Sequence, residues 1–327
     1  MRAVVATRPG GPEVLKVVEL PEPAPRADEV LVEVAAAGVN FIDTYRRSGV
    51  YPLSYPHLVG TEGAGRVVGV GADVLGVRVG DRVSWATSAG SYAERVCVRA
   101  ADALLVPDGV PDATAAALTL QGLTAHYLTR STVALHAGDD VLVHAAAGGV
   151  GLLLTQLAAG LGVRVIATAG STAKEALARE AGAAEVIRYR ELDDLTHELP
   201  ILVRDLTGGA GVRVVYDSVG RDTFDASLAC LAPRGMLVLF GASSGPVPPV
   251  DPQRLNAAGS VYLTRPTIGA YTATRGELVG RADELFALVA AGRLTVRIGA
   301  TFPLAAAADA HRALEGRATT GKVLLLP

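Results

Sequence analysis

Two kinds of hydrophobic pattern follow each other along the chain. From residue 1 to about 120, short β-rich apolar runs such as 30–34 and 81–85 are separated by Pro- and Gly-rich turns. Several short strands with turn signals between them predict a small, irregular β-barrel.

From about 125 to 260, apolar strands alternate with helical patterns, which predicts a parallel, doubly wound sheet. One helix is predicted over Thr172–Glu180, and Pro200 predicts that another begins only after it, near Ile201. The candidate strands are residues 141–145, 163–168, 185–187, Val212–Asp217 and 236–240, with 261–263 as an additional candidate.

The tail from about residue 265 carries a helical pattern over 277–290 and a final strand, Lys322–Leu326. The tail has too few apolar residues for a core of its own, so we expect it to pack onto the first domain. This predicts one domain built from 1–124 plus 265–327, with an α/β domain of 125–264 inserted in it.

A glycine turn joins the first strand of the α/β domain to an apolar helical run. Its pattern is Ala146-x-Gly148-x-x-Gly151 with an extra Gly149, so alanine replaces the first glycine of the dinucleotide fingerprint. Glycine lets the backbone approach a pyrophosphate, and the helix start offers it free N–H groups. A plain connecting turn is the alternative, but strand, turn and helix together favour a dinucleotide site.

The next strand indicates which dinucleotide, NAD or NADPH, the site prefers. It ends in Thr168-Ala169-Gly170-Ser171 and lacks the acidic residue that usually holds the ribose 2′-hydroxyl of NAD. Lys174 follows three residues after Ser171, and a cation there suits a 2′-phosphate. The pattern therefore favours NADPH, with a solvated lysine in the first turn of a helix as the alternative.

Composition and charge narrow the class of protein. Of 327 residues, 50% are apolar and 19% are charged, which is typical of a globular protein, and the net charge is −3. This charge argues against nucleic acid as a partner. The apolar stretches are too short and glycine-rich for membrane spans, and the N-terminus lacks a signal-peptide pattern. We therefore expect a cytoplasmic protein with reduced cysteines.

Residue spacing gives no metal or nucleophile motif. The six histidines are scattered, and neither C-x-x-C nor H-x-x-x-H spacing occurs. Cys97 and Cys230 fit small core residues better than ligands or nucleophiles. Without a nucleophile elbow, hydrolase chemistry has little support.

With these motifs in place, the chain resembles the zinc-free quinone oxidoreductases of the medium-chain dehydrogenase/reductase superfamily, the group that includes zeta-crystallin. The resemblance implies a doubly wound parallel-sheet nucleotide domain inserted in a GroES-like β-barrel catalytic domain. In zinc-dependent members a Cys stands at the position of Asn40 and a His at that of Thr61, so no metal is expected. The segments that carry the resemblance are residues 37–45, 60–65, 79–83, 144–151, 215–220 and 264–266.

The resemblance also implies a set of NADPH contacts. Lys174, Tyr189 and Arg317 match the 2′-phosphate grip, Gly149 and Val150 match the pyrophosphate contacts, and residues 240–243 match the run beside the nicotinamide ribose. That run is Phe240, Gly241, Ala242 and Ser243, and the remaining positions in the implied cofactor set are Gly148, Gly151, Gly170, Ser171, Ser218 and Arg265.

The same resemblance places Asn40, Phe41, Tyr45, Thr124 and Tyr127 around the nicotinamide and the acceptor. Hydride transfer from NADPH to a quinone is the implied reaction, with Asn40, Tyr45 and Thr124 as catalytic candidates. Tyr45 and Asn40 would hydrogen-bond the quinone oxygen or place the carboxamide of the cofactor. A packed tyrosine with a satisfied hydroxyl is the alternative for Tyr45.

Several alternatives stay open from sequence. The acceptor is a quinone or another electrophile, and reduction of the C=C bond of enones or alkenals would use the same cofactor. The sequence does not distinguish one-electron from two-electron reduction of the acceptor. A crystallin-like structural or RNA-binding role is an alternative of a different class. Pairing of the edge strand near 261–263 with its symmetry mate predicts a homodimer. Gln121 stands where some relatives have lysine.

Overall fold

The computed structural model describes residues 1–327, which form sixteen strands and ten α-helices. The strands are β1 (Arg2–Ala6), β2 (Leu15–Glu19), β3 (Glu29–Val39), β4 (His57–Leu58), β5 (Glu62–Val70), β6 (Arg82–Trp85), β7 (Arg95–Arg99), β8 (Leu104–Leu105), β9 (Asp140–Val143), β10 (Arg164–Ala169), β11 (Glu185–Arg188), β12 (Val212–Asp217), β13 (Leu231–Leu239), β14 (Tyr262–Thr264), β15 (Ile298–Pro303) and β16 (Lys322–Leu326). The helices are α1 (Phe41–Ser48), α2 (Asp112–Tyr127), α3 (Gly149–Ala159), α4 (Thr172–Glu180), α5 (Leu195–Leu206), α6 (Phe224–Ala229), α7 (Gln253–Ala257), α8 (Ile268–Tyr271), α9 (Arg275–Ala290) and α10 (Ala307–Glu315).

The chain divides into two compact units. The first unit comprises Met1–Leu123 and Ala273–Pro327, and the second comprises Thr124–Thr272. The sequence placed these divisions at 124/125 and 264/265. None of the ten helices has the length and hydropathy needed to cross a membrane.

Antiparallel pairing dominates the first unit. Three strands form a sheet in the order β2-β1-β4, and a seven-stranded sheet runs β15-β16-β3-β5-β6-β8 with β7 also paired to β3. Its core surrounds Trp85 and Tyr92, both fully buried. The tail contributes β16, which lies antiparallel to β3 with Val323 opposite Val39.

Three helices in the first unit were not predicted, namely α1, α2 and, in the tail, α10. α1 begins after Asn40, whose backbone N–H donates to the Asp43 carboxylate at 3.0 Å, the half of a capping box that the N3 residue supplies. The spacing of Asn40 and Asp43 was a readable start signal. α2 contains an alanine-rich stretch with high helix propensity, which was also readable.

The second unit is a parallel sheet with strand order β11-β10-β9-β12-β13-β14. Every pairing in this sheet is parallel, which confirms the fold class predicted from alternating strands and helices. Val212–Asp217 and Thr172–Glu180 have the predicted bounds. The other strands begin or end within a few residues of their predicted positions.

The prediction for Pro200 is wrong. Helix α5 starts at Leu195 and contains Pro200 in its interior. Asp194 caps the helix by accepting hydrogen bonds from the backbone N–H groups of Thr196 and His197 at 2.9 and 3.2 Å. The cap and the burial of Leu199 and Pro200 against the core offset the backbone bond that proline removes.

Candidate functional site

The glycine turn lies where the strand order of the parallel sheet reverses. β10 and β11 lie on one side of β9, whereas β12, β13 and β14 lie on the other. Ligands of such sheets bind outside the carboxyl ends of the strands at this switch point. The turn after β9 therefore occupies the place where a dinucleotide is expected.

The backbone of the turn fits a phosphate. Gly148 precedes α3, and no side chain caps the helix start, so the first N–H groups of α3 have no partner within the helix. The first turn carries no acidic residue that would repel an anion. A Cβ on Gly151 would lie 2.4 Å from the carbonyl oxygen of Ala145, so this close packing of helix and turn requires glycine.

The end of β10 gathers part of the predicted 2′-phosphate grip. Ser171 caps α4 by accepting a hydrogen bond from the N–H of Lys174 at 3.4 Å. The ring of Tyr189 packs on Gly170, where an added Cβ would lie 2.7 Å from the Tyr189 hydroxyl. The structure thus brings Gly170, Ser171, Lys174 and Tyr189 to one strand end.

Sequence reasoning missed a second cation at the end of β10. Arg188 donates to the hydroxyl of Thr172 at 3.0 Å and pairs with Glu175 at 3.3 Å. Its position directly before Tyr189 was the available signal. Arg317 belongs to the first unit, where it is exposed with a φ of 56°.

The other predicted cofactor residues of the second unit meet at the ends of β12 and β13. Phe240 and Gly241 both donate backbone bonds to Asp217, at 2.8 and 3.4 Å. A Cβ on Gly241 would lie 2.4 Å from the carbonyl oxygen of Ser218. Arg265 donates to the carbonyl of Leu239 at 2.9 Å. Residues 240–243, Ser218 and Arg265 therefore form one cluster.

Asp217 organises this cluster, and sequence reasoning did not single it out. One carboxylate oxygen accepts from the N–H groups of Val219 and Gly220 at 2.8 and 3.0 Å. The other accepts from the hydroxyls of Thr223 and Ser227, both at 2.7 Å. An acidic residue directly after the apolar run of residues 214–216 was the signal for this role.

His144 extends the same buried network to the glycine turn. Its ring nitrogens lie 3.0 Å from the hydroxyls of Thr168 and Ser227. Burial lowers the pKa of His144, and the nearby Asp217 carboxylate only partly opposes this effect. A neutral imidazole therefore links the ends of β9 and β10 to Ser227 on α6, which in turn donates to Asp217 at the end of β12.

Thr124 and Tyr127 lie near each other on α2. Tyr127 stacks on Tyr271 with ring centroids 4.5 Å apart and planes inclined by 6°. Burial raises the pKa of Tyr127 to about 12, while a side-chain hydrogen bond with Thr124 acts in the opposite direction. The Tyr127 hydroxyl therefore stays protonated at neutral pH.

In the first unit, Phe41 and Tyr45, which are predicted to lie beside the nicotinamide and the acceptor, share one face of α1. Their ring centroids are 6.1 Å apart, and Tyr45 meets Tyr51 edge to face at 5.8 Å. Both predicted residues are half-buried. An aromatic surface of this kind can pack against a flat ring.

Asn40 is almost fully buried, and its carboxamide is fully engaged with the protein. The Nδ2 group donates to the carbonyl of Gly38 at 3.1 Å and to Glu62 at 3.0 Å. The Oδ1 atom accepts from Gln121 at 2.6 Å and Lys322 at 2.8 Å. A carboxamide has two donor hydrogens and two acceptor lone pairs, so a ligand bond would replace one of these.

The thiol groups lie outside these clusters. Burial raises the pKa of the Cys230 thiol to about 12 and also raises that of Cys97. Protonated thiols are weak nucleophiles and weak ligands. No three His, Cys, Asp or Glu side chains are grouped so as to hold a metal ion.

Two family models match the chain. Residues 26–108 match the alcohol dehydrogenase GroES-like domain, and residues 149–284 match the zinc-binding dehydrogenase family. The chain is also 47% identical to quinone oxidoreductase 1 of Escherichia coli over 322 residues, covering 97% of both chains. The chain belongs to the quinone oxidoreductase family of the medium-chain dehydrogenase/reductase superfamily.

Solved structures of this family agree with the fold in both units. A mycobacterial protein solved with NADPH has a TM-score of 0.97 and 52% identity, with both chains covered completely. The Escherichia coli quinone oxidoreductase solved with NADPH has a TM-score of 0.97 and 45% identity, also with complete coverage. The predicted GroES-like domain and nucleotide-binding domain are therefore confirmed.

The two positions where zinc-dependent members of the superfamily carry ligands are filled differently here. Asn40 is engaged as described above, and the Thr61 hydroxyl donates to Asp43 at 3.1 Å. Amide and hydroxyl groups are weak zinc ligands compared with cysteine and histidine. The donor set at these positions does not fit the zinc ion for which the matching family is named.

Proposed function

We propose that the chain is an NADPH-dependent quinone oxidoreductase. The observation that carries this proposal is the uncapped start of α3 at the switch point of the sheet, beside β10, which ends without an acidic residue and is followed by Lys174 in the first turn of α4. The identity with the Escherichia coli quinone oxidoreductase and the NADPH in two related structures support it.

The second unit supplies most of the proposed cofactor contacts. The N–H groups of Gly149, Val150 and Gly151 would bind the pyrophosphate, because the helix start leaves them without partners. Lys174 and Tyr189 would hold the 2′-phosphate, and the family resemblance assigns Arg317 to the same contact. The remaining predicted contacts are Gly148, Gly170, Ser171, Ser218, Phe240, Gly241, Ala242, Ser243 and Arg265.

When bound, NADPH supplies a hydride to the acceptor. A quinone is already electrophilic, so the residues of this chain chiefly orient it and exclude water. Phe41 and Tyr45 would pack against its ring, and the Tyr45 hydroxyl would donate to its oxygen. The family resemblance also assigns Thr124 and Tyr127 contacts with the nicotinamide or the acceptor. No metal takes part in this proposal, since positions 40 and 61 hold Asn and Thr.

An acceptor panel tests the proposal. NADPH oxidation is followed at 340 nm with 1,4-benzoquinone, a naphthoquinone, an enone and an unsaturated aldehyde. We expect kcat/KM for the quinones to exceed that for the enone and the aldehyde by at least tenfold. Faster reduction of the C=C substrates would replace the quinone assignment with the double-bond reductase alternative.

We also propose that two copies associate through β14. This strand ends the six-stranded sheet, and its Tyr262 is 59% exposed. An unpaired strand edge of this kind can add a strand from a second copy. A molar mass near that of one chain, measured by light scattering, would contradict the dimer. Tyr262→Pro tests whether β14 forms the interface.

We also propose a cytoplasmic location, which the free thiols of Cys97 and Cys230 suit.

A further inference from the structure

A fully buried lysine lies beside Asn40. The ammonium of Lys322 pairs with Glu62, and it donates to Asn40 and Gln121, both at 2.8 Å. Lys322 is 2% exposed and Glu62 is 0% exposed. We call Lys322, Glu62, Asn40 and Gln121 the lysine cluster.

Strand register explains how residues so distant in sequence meet. β16 pairs with β3 so that Val323 lies opposite Val39, which places Lys322 beside Asn40. β3 pairs with β5 so that Gly38 lies opposite Glu62. The lysine cluster therefore joins β3, β5, α2 and β16 at the point where α1 begins.

The backbone leaves room for this cluster at one glycine. A Cβ on Gly38 would lie 2.2 Å from a carboxylate oxygen of Glu62 and 2.7 Å from the Lys322 ammonium. Glu62 uses its other oxygen to accept the N–H of Leu120 at 2.6 Å. Each charged group is thus surrounded by partners.

Stability alone does not account for a buried ion pair. Removing two charges from water costs free energy, and well-packed apolar side chains of similar volume often stabilise a fold equally well. The ion pair instead fixes geometry, because both acceptor pairs of the Asn40 oxygen are directed at Lys322 and Gln121. The backbone N–H of Asn40 is held as well, by Asp43 at 3.0 Å.

We propose that Lys322 is a positioning residue for acceptor reduction, acting through Asn40 on the start of α1 and so on Phe41 and Tyr45. The proposal rests on the proposed function of the chain as a quinone oxidoreductase. The ammonium of Lys322 holds the Asn40 carboxamide in one orientation, and α1 begins at the next residue. NADPH binding depends chiefly on the second unit, so loss of the ammonium should affect acceptor turnover and leave cofactor affinity intact.

Relocating the cation separates a positioning role from general stabilisation. The Gln121 carboxamide already contacts both Asn40 and Lys322, so a lysine at position 121 would deliver an ammonium to the same acceptors. Four proteins are compared: wild type, Lys322→Met, Lys322→Ala, and Lys322→Ala combined with Gln121→Lys. The measurements are quinone kcat and KM, the NADPH dissociation constant from cofactor fluorescence, and the fraction folded from circular dichroism at the assay temperature.

We expect Lys322→Met and Lys322→Ala to lower kcat/KM for the quinone at least tenfold, with the NADPH dissociation constant within about threefold of wild type. Gln121→Lys should restore most of the activity that Lys322→Ala loses. Unchanged turnover in Lys322→Met would overturn the inference. So would a loss that follows the unfolded fraction, or one that Gln121→Lys leaves unrepaired in a folded protein. A wild-type protein inactive with every quinone would instead refute the proposed function.

Discussion

Replacing His311 should remove much of the acid sensitivity of the first unit. His311 lies on α10 and is fully buried. Its Nδ1 atom lies 3.1 Å from the Arg47 guanidinium, and its Nε2 atom lies 3.2 Å from the Tyr92 hydroxyl. Because arginine only donates, Nδ1 must accept, and the ring is neutral with its proton on Nε2. Protonation of Nδ1 would direct its new N–H at an N–H of the Arg47 guanidinium and would place two positive charges side by side.

The size of the effect follows from the pKa. Burial, with a further contribution from Arg47, lowers the pKa of His311 to about 3 from 6.5. Because this pKa is lowered in the folded state, His311 contributes fully to the free energy of unfolding above pH 6.5. That contribution is lost as the pH falls towards 3. Between pH 7 and pH 5 the folded state should lose about 2 kcal/mol from this group.

Asp43, in the same network, has the opposite effect. Its carboxyl lies 3.1 Å from the Tyr92 hydroxyl, and burial raises its pKa to about 6 despite the opposing charge of Lys322. A raised pKa contributes stability that is complete below pH 3.8 and is lost as the pH rises through 6. As the pH falls from 7 to 5, Asp43 should add about 1 kcal/mol to the free energy of unfolding. In the wild type, His311 and Asp43 together should therefore lower this free energy by about 1 kcal/mol over the same range.

Urea unfolding at fixed pH tests this reasoning. The free energy of unfolding is measured between pH 5 and pH 8.5 for wild type and His311→Gln, a substitution that keeps one donor and one acceptor. From pH 7 to pH 5, the variant should lose about 2 kcal/mol less than wild type. From pH 7 to pH 8.5 the two curves should run parallel, which is the internal control. Equal losses in acid would refute the assignment of a neutral, buried His311.

Three further substitutions test the nucleotide unit. Gly151→Ala should weaken NADPH binding at least tenfold, measured by equilibrium fluorescence, because the new Cβ would meet backbone atoms at 2.4 and 2.8 Å. Gly280→Ala is the control, since no atom lies within 4 Å of its added Cβ. This control variant should instead stabilise the protein by up to about 1 kcal/mol. Asp217→Ala should lower the free energy of unfolding by about 3 kcal/mol or more in urea titrations, since it leaves four donors unpaired; a loss below about 1 kcal/mol would contradict its organising role. Lys174→Ala should raise the KM for NADPH at least tenfold and leave that for NADH unchanged, and equal changes for both cofactors would remove Lys174 from the 2′-phosphate site.

The second unit was readable from sequence because its parallel strands are buried on both faces. Such strands appear as short, mostly apolar runs, and Val212–Asp217, in which only Arg213 is exposed, has the predicted bounds. The glycine turn was readable because all its residues are adjacent. Pro200 misled the prediction because capping and burial, which depend on more distant residues, outweighed its local effect.

The lysine cluster was not readable in the same way. Lys322 heads an apolar strand, and a charge in that place has no local partner that would reveal its role. It meets Asn40 across 282 positions only because β16 pairs with β3 in one register. Register depends on the assembled sheet, so no single segment of sequence specifies it.

The most direct test of the central proposal is the cofactor preference of the protein with a quinone as acceptor. The values of kcat/KM for NADPH and NADH are measured with 1,4-benzoquinone, on a preparation whose zinc content is determined and again after treatment with a chelator. We predict at least a tenfold preference for NADPH and the same rate with and without the chelator. A preference for NADH, or a rate that requires stoichiometric zinc, would contradict the account.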